Sequence, residues 1–281
     1  PPGFLSLVGA ILTEPCSPEA DYGVFYIDAL TYQPMCGAGT LSVAKVLVET
    51  GMVKRVEPET KIVLETPTGL VTVYVKWENH MVASINLENF PAFLYRKDLH
   101  IDLAGYGDVS VDIGYGGNFF VLADVHSLGL TITKDTVNLL RSLSKDILAA
   151  ANKVIKVAHP TNPAINYLDQ VLFCQNVPEE DGGYLAQCIF GDAQADISPC
   201  GTGTSTRLAQ RYFRGLIGLE ETFVQKSVCG GAFHAKGLRE TTLGGVPAIV
   251  PYVSCSDVHI TGFNHLIVEE NDKLKNGFVS W

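Results

Sequence analysis

Ser198-Pro199-Cys200-Gly201-Thr202-Gly203-Thr204 and Met35-Cys36-Gly37-Ala38-Gly39-Thr40 are two copies of one phrase, Cys-Gly-x-Gly-Thr. Each copy follows an apolar, strand-like run, Val24-Phe25-Tyr26-Ile27 or Leu185-Ala186-Gln187-Cys188-Ile189-Phe190. Each opens a helical pattern. The first continues through Leu41, Val43, Ala44, Val46, Leu47 and Val48, the second through Leu208, Ala209, Tyr212, Phe213, Leu216 and Ile217. Asp28 and Asp192 stand eight residues before the two cysteines. The unit of strand, loop, cysteine motif and helix therefore occurs twice. It predicts an internal duplication whose halves face each other and bring two thiols to opposite sides of one small substrate.

The residue types specify a chemistry. A cysteine at the first turn of a helix meets the positive end of the helix dipole, so its thiolate is expected to be favoured. The glycines leave first-turn N–H groups uncovered, and such unpaired donors suit a carboxylate. Two such helix starts would clamp a carboxylate and bracket its alpha carbon with sulfur. One thiolate removes the alpha proton from one face, and the other thiol delivers a proton to the opposite face. Inversion follows without a cofactor. The N–H groups stabilise the carbanion-like intermediate, and the two sulfurs titrate as a pair. One such motif alone describes a small buried residue at a tight turn; two with matched flanks point to function.

The chain has 281 residues, enough for one large or two medium cores. Hydrophobic residues make up 47% and charged residues 18%, a globular mix. A net charge of −10 repels phosphate backbones, which argues against nucleic acid as a partner. No apolar run reaches the ~20 residues that span a bilayer. Residues 4–12 lack the basic flank and cleavage site of a signal peptide and read as a strand. The chain starts at Pro1, so a preceding segment is expected. The seven cysteines are odd in number, with no Cys-x-x-Cys pair and no glycosylation sequon. That pattern fits reduced thiols and a cytoplasmic setting. Five of them are assigned to packing. The seven histidines show no metal-ligand spacing, so no metal site is expected. A Walker loop and a Gly-x-Ser-x-Gly elbow are absent.

Periodicity and turn residues place strands at 5–12, 22–28, 81–87, 109–113, 169–174 and 184–190. A hairpin spans 61–65 and 70–76, and further strands fall at 222–228, 232–238, 246–252 and 256–261. The first cysteine helix stops at Gly51, the second near Gly218, and a third helix spans 134–156. Gly114, Gly116 and Gly117 imply close backbone approach or a bulge. The inferred boundary between halves lies near Gly114, giving a first lobe of 1–114, with 256–281 returning to it, and a second of 115–255.

At these residues the chain resembles the proline racemase family, which includes hydroxyproline epimerases and 3-hydroxyproline dehydratases. The resemblance runs along nearly the whole chain. It is most specific at residues 35–40, 116–120, 190–196, 198–204 and 260–265. It implies an α+β fold like that of diaminopimelate epimerase. Two pseudo-symmetric lobes each wrap strands around a central helix, with the active site in the cleft. It also implies a homodimer that uses neither pyridoxal phosphate nor metal, acting on a cyclic imino acid. Carried over by position, Cys36 and Cys200 are the acid/base thiols. Backbone N–H groups of Gly37, Ala38, Gly201, Thr202 and Gly203 hold the carboxylate, and Asp196 binds the ring nitrogen. Tyr26 and Phe190 match aromatic pocket walls, although as residues alone they read as core.

The branches differ at a few positions. The dehydratases carry Thr at the second cysteine position, so Cys200 favours inversion over elimination. Val8 stands where racemases tend to have Phe and hydroxyproline epimerases Val. Gln170 stands where racemases tend to have Cys and epimerases a polar His. A smaller wall and a hydrogen-bonding side chain suit a ring hydroxyl, because a buried hydroxyl without a partner costs ~1–3 kcal/mol. The reading is 4-hydroxyproline 2-epimerase, with proline racemase, trans-3-hydroxyproline dehydratase and a catalytically silent binder as alternatives. Ala38 departs from the His usual in the family and removes a possible substrate contact.

Overall fold

The computed structural model describes residues 8–28, 32–264 and 269–273. The beginning of the strand read at 5–12, and residues 265–268 and 274–281 of the returning segment 256–281, lie outside the described residues. The first half holds β1 (Gly9–Thr13), β2 (Tyr22–Ile27), β3 (Tyr32–Gln33), α1 (Gly37–Glu49), β4 (Glu59–Thr66), β5 (Gly69–Glu78) and β6 (Met81–Glu88). Next come β7 (Phe93–Leu103), β8 (Gly107–Tyr115), β9 (Phe119–Asp124) and α2 (Val137–Val154). The second half holds β10 (Gln170–Cys174), β11 (Tyr184–Phe190), β12 (Gln194–Ala195), α3 (Gly201–Phe213), β13 (Phe223–Lys226), β14 (Ala232–Leu243) and β15 (Val246–Cys255).

The pairing pattern carries the duplication. β2 pairs antiparallel with β1 and β3 and parallel with β4, which starts the meander β4-β5-β6. β11 pairs antiparallel with β10 and β12 and parallel with β13, which starts the meander β13-β14-β15. β6 and β15, equivalent strands, then pair antiparallel with each other and join the halves. β7, β8, β9 and α2 belong to the second side alone, on an edge that continues from β10.

Each side closes over a helix. α1 buries Leu41, Ala44 and Leu47 against Ile62, Leu64, Val73, Ile85 and Leu87 of the surrounding strands. Each fully buried Leu or Ile contributes roughly 1.5–3 kcal/mol. α2 buries Leu140, Leu143, Ile147 and Ala151, a spacing of three and four residues that lines one helix face. That face covers Ile101, Val111, Val121, Val171 and Phe173. A boundary near Gly114 falls inside β8, and both β7 and β8 pack into this second core. Phe223, Phe233 and Val253 from the second half pack into the first. Val258, just past β15, also packs there.

Several elements depart from expectation. Residues 256–261 are irregular rather than a strand. β7 and β9 were not expected; β7 alternates poorly because its register shifts between Leu94 and Arg96 and again between Arg96 and Leu99. α3 ends at Phe213, not near Gly218, and Leu216 is exposed. Besides Leu208 and Ala209, α3 buries its polar start, Thr202, Thr204, Ser205, Thr206 and Arg207. The hydroxyls turn back onto the helix itself: Ser205 Oγ donates to Gly201 O at 3.0 Å and Thr206 Oγ1 to Thr202 O at 2.8 Å. The Arg207 guanidinium donates to the carbonyls of Leu185 and Gln175. No helix among the described residues is long and apolar enough to cross a membrane.

Candidate active site

The two helices meet start to start. A Cβ added to Gly37 would lie 2.7 Å from Gly201 Cα, and one added to Gly201 would lie 2.8 Å from Gly37 Cα. Only glycine in both positions permits this approach. The turn between β8 and β9 wedges against the same junction. Gly117 has φ +116°, and a Cβ there would lie 2.8 Å from Thr202 Cγ2 and 3.0 Å from Met35 Cγ. This is the close backbone approach expected of the glycine stretch. Asn118, at the same turn, donates through Nδ2 to Met35 O at 3.0 Å and to Thr202 Oγ1 at 3.4 Å. One side chain thus ties the loop before Cys36 to the first turn after Cys200.

Both cysteines cap the helices that follow them. Cys36 Sγ accepts from Gly39 N–H at 3.3 Å, and Cys200 Sγ accepts from Gly203 N–H at 3.3 Å. Their backbones differ: Cys36 has φ −138°, whereas Cys200 has φ +64°. A left-handed residue with a side chain costs about 1–3 kcal/mol and persists only where neighbours hold it. Here the Asp-Ile-Ser-Pro-Cys run supplies the hold. The Asp196 carboxylate accepts from Ser198 N–H at 2.8 Å, and Ser198 Oγ accepts from Cys200 N–H at 3.0 Å. Gln225 Nε2 donates to Pro199 O at 2.7 Å.

One small cavity, about 40 Å³, opens at the junction. Cys36, Gly37, Ala38, Cys200, Gly201 and Thr202 line it from the two helix starts. Gln170 and Phe190 line it from β10 and β11, and Val8 and Asp196 from just before β1 and just after β12. Gly203 is not in the lining, and its N–H is engaged by the Cys200 sulfur. Tyr26 is not in the lining either. It is fully buried beneath Gly39, with its hydroxyl 2.5 Å from Thr40 Oγ1. Ala38 also borders a neighbouring cavity of about 510 Å³ walled by Leu41, Pro199 and Phe233. A cavity of about 400 Å³ at Asp98, Asp112 and Arg214 is larger than the thiol cavity, but Arg214 there is ion-paired with both aspartates.

Gln33, Met35, Asn118 and Cys188 also line the thiol cavity. None of these four was anticipated as a site residue; Asn118 lay within a noted motif, and Cys188 was assigned to packing. Gln170 Nε2 donates to Gln33 Oε1 at 3.3 Å, and Gln33 Nε2 donates to Asp28 Oδ2 at 2.9 Å. The two upstream aspartates are therefore not equivalent. Asp28 supports the polar wall, whereas Asp192 pairs with Lys145 at the surface.

Two helix N-termini carry partial positive charge, and head to head they repel unless an anion lies between them. First-turn N–H groups at both starts lack intrahelical acceptors, so a carboxylate fits this electrostatics. The sulfurs feel a competing effect. Burial pushes the Cys36 thiol up to about 12, against the opposing pull of the Gly39 and Ala38 N–H groups. The nearby Asp196 and Cys200 raise it further. The expected fall at Cys36 is thus reversed, because desolvation of a thiolate outweighs two N–H contacts. Burial also raises Asp196, partly offset by its contacts with Ser198 and Cys200. In a Cys200→Ser variant, iodoacetamide modification of Cys36 should rise about tenfold per pH unit from about pH 7 to about pH 9, since only thiolate reacts. Peptide mass spectrometry reads the rate, and a plateau near neutrality would contradict the direction.

The family model described as proline racemase matches residues 1–279, and the chain belongs to that family. It is an enzyme of the class that contains imino-acid racemases, epimerases and dehydratases. It is 37% identical over 280 residues to a trans-3-hydroxy-L-proline dehydratase of Burkholderia cenocepacia, covering 99% of this chain and 83% of that one. It is 37% identical over 279 residues to a proline racemase of Clostridioides difficile, with the same coverage. A solved hydroxyproline epimerase from Agrobacterium vitis, with bound trans-4-hydroxy-L-proline, superposes with a TM-score of 0.87 at 29% identity. That match covers 96% of this chain and 77% of the other. A Bacillus anthracis protein of the PhzF family, at a TM-score of 0.58 and 14% identity, shares the fold. The α+β architecture of two pseudo-symmetric halves is thus the one expected.

Proposed function

We propose that this enzyme inverts the alpha carbon of a cyclic imino acid with Cys36 and Cys200 as the two acid/base groups, and that its substrate is 4-hydroxyproline. The observation that carries the reading is the pair of capping sulfurs on one cavity between abutting helix starts. The substrate carboxylate takes the N–H groups of Gly37, Ala38, Gly201 and Thr202. Asp196 receives the ring nitrogen, and Phe190 and Val8 pack against the ring. One sulfur removes the alpha proton as thiolate and the other returns a proton to the opposite face. Carboxylate-directed N–H groups lower the energy of the intermediate, where charge on the carboxylate grows.

Val8 and Gln170 favour the hydroxylated ring. Gln170 is buried and already engaged with Gln33, so it offers a hydroxyl an oriented amide. The presence of sulfur at position 200 favours inversion over elimination. The homodimer implied by the family belongs to the same proposal. Incubation in deuterated buffer with L-proline, trans-4-hydroxy-L-proline and trans-3-hydroxy-L-proline tests it. Inversion with one alpha deuterium is expected, faster on trans-4-hydroxy-L-proline by about tenfold or more, one buried hydrogen bond's worth. Faster proline turnover would make the enzyme a racemase. Loss of water from the 3-hydroxy compound would make it a dehydratase, and binding without exchange a silent binder.

A further inference from the structure

Cys188 has no part in the two-thiol scheme, yet it borders the same cavity. It lies on β11, directly beyond the two residues of β12 that pair with that strand, and its carbonyl accepts from Asp196 N–H at 2.9 Å. Cys188 and Asp196 are therefore cross-strand neighbours, whose side chains leave the same face of the hairpin. Both reach Cys200. The two sulfurs and a carboxylate oxygen all lie within 4.8 Å of one another. Cys188 is 2% exposed and Cys200 7%, so water competes weakly for either sulfur.

We infer that Cys188, Asp196 and Cys200 form a binding site for a thiophilic divalent ion of the zinc type, and that filling it switches inversion off. Two thiolates and one carboxylate are a donor set suited to such an ion, with Zn–S near 2.3 Å and Zn–O near 2.0 Å. Donors around a tetrahedral ion of that size sit roughly 3.3–3.8 Å apart, so the side chains need inward shifts on the order of 1 Å. Three protein donors leave a fourth position, which faces the cavity. Binding forms two metal–sulfur bonds and one metal–oxygen bond and releases the two thiol protons to solvent. A Cys200 sulfur held by the ion has no lone pair in position to accept the alpha proton. Asp196 is withdrawn from the ring nitrogen at the same time. Metal and imino acid thus exclude each other. The inhibitory half of the inference rests on the proposed role of Cys200, whereas the binding half does not.

The experiment uses the full chain in a Cys16→Ser/Cys229→Ser background, which removes the two exposed thiols. Cd²⁺ is titrated under reducing conditions and the thiolate-to-metal charge-transfer band is recorded. Zn²⁺ binding is followed by calorimetry. One ion per chain is expected, with a band of two-thiolate intensity. Cys188→Ala should halve the band and weaken Zn²⁺ by at least about tenfold. Asp196→Asn keeps both sulfurs and should keep the band's full intensity while weakening the ion. With the imino-acid substrate, Cys188→Ala should raise the Zn²⁺ concentration for half-inhibition by at least about tenfold, measured against its own metal-free rate. A band unchanged in Cys188→Ala, or an undiminished Zn²⁺ affinity in both variants, overturns the site. A halved band in a protein that inverts no imino acid would instead overturn the proposed function and leave the site standing.

Discussion

Cys200→Ser should lose about 10²–10⁴-fold in inversion rate, the range that a positioned acid or base supplies. Cys36→Ser should lose a similar factor. Serine is a good N-cap, so its hydroxyl can take over the bond from Gly203 or Gly39 N–H, and the helix keeps its start. What serine lacks is acidity: a hydroxyl neither holds a negative charge near neutral pH nor gives its proton up readily. The loss therefore falls on chemistry and leaves folding and binding in place. Thermal unfolding and calorimetric binding of substrate serve as controls. The two variants should also differ from each other. With one thiol left, alpha-hydrogen exchange without inversion survives on the enantiomer that presents its hydrogen to that thiol. Each variant should thus exchange one enantiomer and spare the other. Inversion at the parent rate in either variant would end the two-thiol reading.

Gly37→Ala is the second large effect. The new methyl would sit 2.7 Å from Gly201 Cα, 3.1 Å from Gly201 C and 3.3 Å from Thr202 N. All three are backbone atoms, so no flexible side chain can move aside. The helix starts must separate by several tenths of an ångström or more. Overpacking of this kind costs about 1–3 kcal/mol of stability. A misplacement approaching 1 Å between reacting groups costs on the order of 10²-fold in rate. Gly201→Ala meets the mirror contact at 2.8 Å and should behave alike. Gly218→Ala is the control, since its nearest neighbour is a Glu221 oxygen at 3.7 Å. Calorimetric Tm and kcat for the three variants check the claim; a Gly37→Ala protein with parental Tm and rate would refute it.

Much of the site was legible because helix capping is local. A cysteine followed by Gly-x-Gly-Thr carries its own instruction: the sulfur accepts from the N–H three residues on, and both copies do so. The repeated strand–loop–helix unit was equally legible, because each copy holds its own apolar runs. Tyr26 reads as core from its residues and as a pocket wall from the resemblance; alternation in β2 places it inward, and in the structure Gly39 rather than the cavity lies over it. Cys188 looked like packing because its partners, Asp196 and Cys200, are reached by a hairpin and a left-handed residue. The polar start of α3 is buried because two halves close on it, and periodicity within one helix does not show what closes.

The amino-acid order alone determined the two capped thiols, the duplicated unit and the membership these imply, since each depends on contacts within a few residues. Tertiary structure decided that Gly37 and Gly201 touch, that Asn118 ties the two loops, and that a third sulfur joins the second. It also decided the direction in which the Cys36 thiol moves. The helix N–H groups that favour its thiolate come with the sequence, but the burial that outweighs them comes only with the closed fold.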